Sequence, residues 1–224
     1  MSRPPRRPPA RRASASAPAD ADGAPGGVWA KGSTLQATLA YVRTEAGAEG
    51  EAAVLARLDA RDRAAVRGAA ATDEVPFALA DRVSRAVELE LGAARPDWPE
   101  ASGARAIESL GVRLYGGIVR KATPLDFLTQ DVSLFRLYYH PGDIRPVEAE
   151  PRPGGAGRVV LRLDGFAHAS PWFCRRQTGG LARAVELAGG RRVRARHVRC
   201  ALEGDAFCEW ELTWSGAGAE APGA

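Results

Sequence analysis

Hydrophobic positions recur along this 224-residue chain with two periods, and the change from one to the other divides it. From Ser33 onward the spacing is helical. Ser33 can cap a helix that carries Leu35, Leu39 and Val42. Glu51 to Leu58 reads as a short helix, and Asp59 can cap the next, through Val66. Leu79, Val83, Val87 and Leu91 fall four apart, which predicts an amphipathic helix ending near Gly92. Ile107, Leu110, Leu114 and Ile118 trace a further stripe, interrupted by Gly111, Gly116 and Gly117. Glycine inside a helix costs about 1 kcal/mol against alanine, so these positions point to close packing on a neighbour. Thr123-Pro124 opens another helix, with Leu128, Val132, Phe135 and Tyr139 on one face and proline at its first position. His140-Pro141-Gly142 ends it, with His140 placed to cap carbonyls.

The second half alternates instead. Pro146 to Glu150 and Arg158 to Phe166 read as strands joined by the turn Arg152-Pro153-Gly154-Gly155. Ser170-Pro171 restarts a helix whose stripe is Cys174, Thr178, Leu181, Val185 and Ala188, stopped by Gly189-Gly190. Two strands follow, Arg192 to Val198 and Phe207 to Trp214. In the last, Cys208, Trp210, Leu212 and Trp214 alternate with Glu209, Glu211 and Thr213, the mark of an antiparallel strand buried on one face. The pattern predicts an α+β fold: N-terminal helices, then β-β-α-β-β, with the late helix packed on an antiparallel sheet.

Composition adjusts this picture at the ends. Residues 1–26 are mostly Pro, Ala, Arg and Ser and cannot bury enough surface to offset ordering entropy. The expected organisation is a disordered tail over 1–26, one domain over 27–215, and a second disordered tail over 216–224. Hydrophobic residues make up 45% of the chain, ordinary for a globular core. The net charge of +4 is concentrated in the first tail. Five arginines and two aspartates there leave the rest nearly neutral, so nucleic acid is not the expected partner. No run of apolar residues is long enough to span a membrane, and no apolar segment follows the N-terminal arginines as a secretory signal would require. The expected location is the cytoplasm, where clustered cysteines hold metal more often than they form disulfides.

All three cysteines lie between 174 and 208, with His197 three residues before the second. Together they spell Cys-x22-His-x2-Cys-x7-Cys. Cys174 belongs to the core-facing stripe of its helix, and Cys208 to the apolar face of the last strand, so the two sulfurs can meet. His197 and Cys200 are an odd number apart and share a face only if the strand ends and turns there. Three thiolates and one imidazole would form a closed tetrahedral site suited to Zn²⁺, structural because no position is left for water. Two other readings fit the same spacing: three ordinary buried cysteines with an exposed histidine, and a thiol redox switch at Cys174 near a helix N-terminus.

His197-x2-Cys200, the turn containing Gly204 and Cys208-Glu209-Trp210 resemble the C-terminal signature of the 4-vinyl reductase domain. The body from Val28 to Trp214 also resembles an uncharacterised myxobacterial paralogous family related to it. The first resemblance is strongest over 150–215. It implies an α+β fold akin to haem nitric-oxide-binding sensors and vesicle-tethering (TRAPP) subunits. It also implies zinc ligands at Cys174, Cys200 and Cys208, with His197 where zinc-containing members place a carboxylate. Some members sense phenols and other aromatics, so a small apolar or aromatic ligand is implied.

No Ser/His/Asp spacing, Walker loop or dinucleotide fingerprint is present, so an enzyme is not expected. Tyr115, Phe127, Phe135, Tyr139, Trp172 and Trp210 are candidates to wall a ligand pocket, with Gln177, Thr178 and His168 as polar groups. Helical or strand spacing equally suits plain core. The arginines at 191, 192, 194, 196 and 199 form a basic stripe, read first as solvated protection of an edge strand. The resulting expectation is a zinc-stabilised, non-catalytic small-molecule sensor acting through a second copy or a signalling partner, with no membrane. The alternative is an interaction or dimerisation module of the same fold without a small ligand.

Overall fold

The structure is a computed structural model and describes residues 27–111, 123–130, 134–167 and 170–216. Helix α1 (Gly32–Ala56) contains both of the first two predicted helices, broken only at Gly47, whose φ of +70° is readily adopted by glycine. Its start differs from the expectation. Lys31 occupies the cap without a side-chain bond, and the first amides are satisfied by a loop instead: Gly32 N–H donates to the Asp73 carbonyl and Ser33 N–H to that of Ala71. Asp59 does cap α2 (Ala60–Gly68), accepting from the Asp62 amide. Helix α3 (Phe77–Leu91) follows its four-residue stripe, with Val83 and Val87 fully buried. Helix α4 (Trp98–Ala106) runs on into a π-helical turn, Ile107–Gly111.

The helix expected after Thr123 is short. Thr123 caps α5 (Pro124–Leu128), accepting from the Asp126 amide. A 3₁₀ turn, Phe135–Leu137, then leads into strand β3 (Tyr139–His140). Hence Leu128, Phe135 and Tyr139 do not share one helical face. Rather than capping a helix, His140 lies in β3, with Nε2 3.2 Å from Glu74 Oε2. Leu114, Gly116, Gly117, Ile118 and Val132 lie outside the described residues.

A small antiparallel sheet, absent from the hydrophobic pattern, is formed by β1 (Trp29–Lys31), β2 (Glu74–Pro76) and β3, in the order β2-β1-β3. Strands of two or three residues are too short to display a period. The second sheet has β4 (Asp143–Pro151), β5 (Gly157–Asp164), β6 (Arg191–Arg199) and β7 (Cys208–Ser215) in the order β4-β5-β7-β6, antiparallel throughout. Helix α6 (Pro171–Leu187) connects β5 to β6 and is capped by Ser170, which accepts from the Phe173 amide.

The register assigns the two faces of this sheet. Val159, Leu161 and Leu163 on β5 pair with Leu212, Trp210 and Cys208 on β7, all buried. On the opposite face Arg158 and Arg162 pair with Thr213 and Glu209. There Arg158 donates to Glu211 at 2.6 Å and Arg162 to Glu209 at 2.8 Å, while Arg199 reaches Glu209 at 3.3 Å. Two members of the basic stripe, Arg196 and Arg199, therefore sit beside carboxylates of β7. Helix α6 lies on the apolar face, where Trp210 Nε1–H donates to Thr178 Oγ1 at 3.0 Å and Thr178 donates to the Cys174 carbonyl at 3.0 Å.

Helices α4 and α6 cross at backbone contact. A Cβ on Gly103 would lie 2.0 Å from the Arg176 carbonyl oxygen, and one on Gly179 2.0 Å from that of Glu100. Nearby, Phe77, Phe135, Tyr139, Phe166 and Phe173 form a buried cluster with ring centroids 5.1–6.4 Å apart, mostly edge to face. No helix among the described residues is long and apolar enough to cross a membrane. Because rigid backbone lies behind both glycines, Gly179→Ala should destabilise the fold by about 2–3 kcal/mol, read as a lower denaturant midpoint with unchanged m. A midpoint unaffected by Gly179→Ala would show that the two helices part easily.

Candidate functional site

The four residues of the cysteine–histidine pattern converge. One ligand atom from each of Cys174, His197, Cys200 and Cys208 lies within 4.8 Å of the others, and the three cysteines are buried thiols. Each comes from a different local structure. Cys174 stands in the first turn of α6, held there by Ser170 at the cap and Pro171 behind it. Cys208 opens β7 on the face that α6 covers. Cys200 begins the turn that follows β6. Its carbonyl accepts from the amides of Glu203 and Asp205, and its own amide donates to Asp205 Oδ2 at 2.8 Å. Gly204 closes that turn at φ +99°.

The odd spacing of His197 and Cys200 is resolved by a β-bulge as well as by the turn. His197 pairs with Trp210 and Arg199 with Glu209, so Val198 is an extra residue opposite a single step of β7. A bulge advances one strand by one residue against its partner. It turns Cys200 back to the face of His197. The imidazole is stacked on Trp210, with centroids 4.7 Å apart and planes at 21°.

The local chemistry suits a cation. Cys174 and Cys208 Sγ are 3.9 Å apart. This is far beyond a disulfide bond of ~2.05 Å and close to the ~3.8 Å edge of a tetrahedron with metal–sulfur bonds of ~2.3 Å. The Ala201 amide donates to Cys208 Sγ at 3.4 Å, a bond that favours the thiolate. Nε2 of His197 is buried without a hydrogen-bond partner. The Cys174 thiol is pushed far above its usual range, first by its hydrogen bond with Cys208, then by burial and by the neighbouring sulfur charge. Thiols this crowded cannot all ionise without a positive ion among them. The cluster can therefore hold a metal through four protein ligands.

Beside α6 lies a cavity of about 300 Å³. Its walls include Phe127, Leu128, Phe135, Tyr139, Leu161 and Leu181, with Gln130, Gln177, Asp143 and Arg145 as polar groups. Of the pocket candidates read from the sequence, Phe127, Phe135, Tyr139 and Gln177 line it. Trp172 lines a separate cavity of about 20 Å³, while Trp210 is taken up by His197 and Thr178. Tyr115 and His168 lie outside the described residues. Ile144, Leu161 and Leu181 also line the large cavity, and their spacing does not distinguish them from core. Nor did any pattern single out Arg176, whose surroundings are purely tertiary.

The sequence matches no protein-family model and no curated protein. The fold does have solved counterparts. An H-NOX protein from S. oneidensis in the Fe(II) ligation state superposes with a TM-score of 0.63 at 16% identity, covering 85% of this chain and 100% of that one. A mutant of an H-NOX protein from K. algicida, in the unliganded Fe(II) state, gives 0.61 at 10% identity, covering 84% and 97%. This chain has the H-NOX fold, an α+β architecture as the pattern predicts and akin to haem nitric-oxide-binding sensors as the resemblance implies.

The described walls of the large cavity offer haem iron few donors. Iron in haem takes an axial His, Cys, Met or Tyr. Among the described residues the large cavity is lined by no His, Cys or Met, and tyrosine alone remains. His197 and the three cysteines are committed to one another, and His140 stacks on Trp29 beside Glu74.

Metal binding at the cluster must displace protons, because thiols held protonated by their neighbours have to ionise. Affinity should therefore rise with pH and fall in acid. Cobalt(II) titration of chelator-stripped protein should give a sulfur-to-metal charge-transfer band that grows with pH and shrinks in Cys200→Ser. A pH-independent band would exclude thiolate ligation.

Proposed function

We propose that this protein is a non-catalytic, zinc-stabilised sensing domain of the 4-vinyl reductase-like kind that binds a small molecule in the cavity beside α6. The observation that carries the reading is the coincidence of the two features on one helix. Cys174 in the first turn of α6 joins the cysteine–histidine cluster, and Gln177, Gly180, Leu181 and Ala184 further along it form part of the cavity wall. Zinc suits three thiolates and an imidazole in a four-coordinate site. With all four positions filled by protein, the ion has no place for substrate, so its role is structural.

In this reading zinc pins the start of α6 to β6 and β7, and the ligand sits against the remainder of the helix. The volume and largely apolar walls suit a small molecule of modest size. Occupancy changes the packing of α6 against α4, which meet through glycines with no side chains to absorb a shift. A second copy of the chain or a signalling protein would read that change. A reducing, cytoplasmic setting keeps the three thiols available.

Elemental analysis of the purified protein tests the metal half. One zinc per chain is expected, with thiols that react only after chelation and a lower melting temperature once it is removed. Cys200→Ser should lose the metal and reproduce that drop. Metal-free protein with three readily titrated thiols would overturn the zinc. For the cavity, hemin added to the protein should give no Soret band of an axially ligated haem. The appearance of one would overturn the haem-free reading.

A further inference from the structure

The large cavity shares its inner wall with a smaller one of about 40 Å³: Ile107, Tyr138, Tyr139, Gln177 and Gly180 line both. The smaller space is about that of one polar group, and it is unusually rich in hydroxyls. Ser33 and Thr34 line it and are 2% and 6% exposed. Arg176 lines it as well. The Arg176 guanidinium donates from Nη1 to Thr38 Oγ1 at 2.8 Å and to Ser102 Oγ at 3.1 Å. Both acceptors are neutral and buried, and each already donates its own proton to a main-chain carbonyl, of Thr34 and Pro99 respectively.

Among the described residues no carboxylate pairs with Arg176. Arg145, the arginine on the large cavity, is engaged by Asp164 at 2.6 Å. Asp81 and Arg176 both line the neighbouring 20 Å³ cavity, where they form no ion pair, and Asp81 does not line this one. A guanidinium offers five donors in a planar fork, and among the described residues both bonds of this one are made by Nη1. Thr34 Oγ1, on the same wall, is buried with no hydrogen-bond partner. A partly buried cation that faces neutral hydroxyls in this cavity, beside a hydroxyl with no partner, suits an anion with acceptor oxygens.

We propose that the ligand is an amphipathic carboxylate. Its apolar body fills the large cavity between α6 and the segment from Leu134 to Pro146. Its carboxylate enters the smaller cavity, accepting from Arg176 and from the Thr34 hydroxyl. Gln177, which lines both spaces, supplies a flexible polar side chain at the junction. The proposal rests on the reading of the cavity as a ligand site and narrows it to a class of molecule.

Calorimetric titration of the full-length protein as purified tests it, with decanoate and 4-phenylbutanoate each compared with its own primary amide. At least one acid should bind about tenfold more tightly than its amide, the size expected of a charge-assisted hydrogen bond. Arg176→Gln should abolish that preference, bringing acid and amide to similar affinity, and Thr34→Val should weaken the acid more than the amide. Arg176→Lys, which keeps the charge, should retain part of the preference and separates loss of charge from loss of fold. Equal binding of acid and amide would overturn the carboxylate and leave the cavity reading standing. Preference unchanged in Arg176→Gln would overturn the role of Arg176. No binding of any of the four compounds would overturn the carboxylate proposal and remove support from the small-molecule reading itself.

Discussion

Everything described depends on one helix being usable from several sides. α6 meets the four-stranded sheet through Cys174 and Thr178, and it meets α4 through Gly179, where even a methyl group would strike the Glu100 carbonyl. Its first turn contributes a sulfur to the metal-ligand cluster, Arg176 lines the smaller cavity, and later residues contribute wall to the large one. Packed interiors do not deform continuously. A helix held this closely on several sides moves as a unit or not at all. That is why an ion at one end and a small molecule along the flank can be energetically coupled without touching.

The legible parts of the fold were those where a single element repeats its own rule. The four-residue stripe of α3, the alternation along β7, and the caps at Asp59 and Ser170 are local, and the structure agrees with them. The meeting of Cys174 and Cys208 was legible for the same reason, since each one's facing follows from its own period, whereas His197 and Cys200 share a face through a bulge that no period shows. What could not be read is set by distant partners. The strands of the small sheet are two or three residues long. α1 is capped by carbonyls of a loop some forty positions away, not by the serine beside it. The segment after Thr123 has helical spacing, yet Phe135 and Tyr139 are drawn into an aromatic cluster with Phe77, Phe166 and Phe173. The hydroxyls that meet Arg176 come from α1 and α4, far along the chain, which no sequence pattern encodes.

A fold does not dictate the cofactor it holds. This chain has the H-NOX fold at 10–16% identity to the two counterparts described above, with cavity walls whose described residues offer iron no imidazole or thiolate. The histidine and cysteines that would be competent ligands are gathered at the junction of α6, β6 and β7 instead. A scaffold of this kind keeps its shape when the chemistry inside it changes, because the shape rests on helix–sheet packing and not on the occupant.

The bulge at Val198 has a consequence for how tolerant the ligand set is. The two-residue interval between His197 and Cys200 works only because one residue in it is left out of register with β7. Removing a residue from β6 there would straighten the strand and present the neighbour of His197 in its place, an arginine or an alkyl side chain. Substitutions within the interval leave the facing intact, whereas a one-residue change in its length exchanges the two faces of the strand end. The site is therefore robust to composition and fragile to insertion or deletion, a sensitivity counted in backbone steps and not in side-chain chemistry.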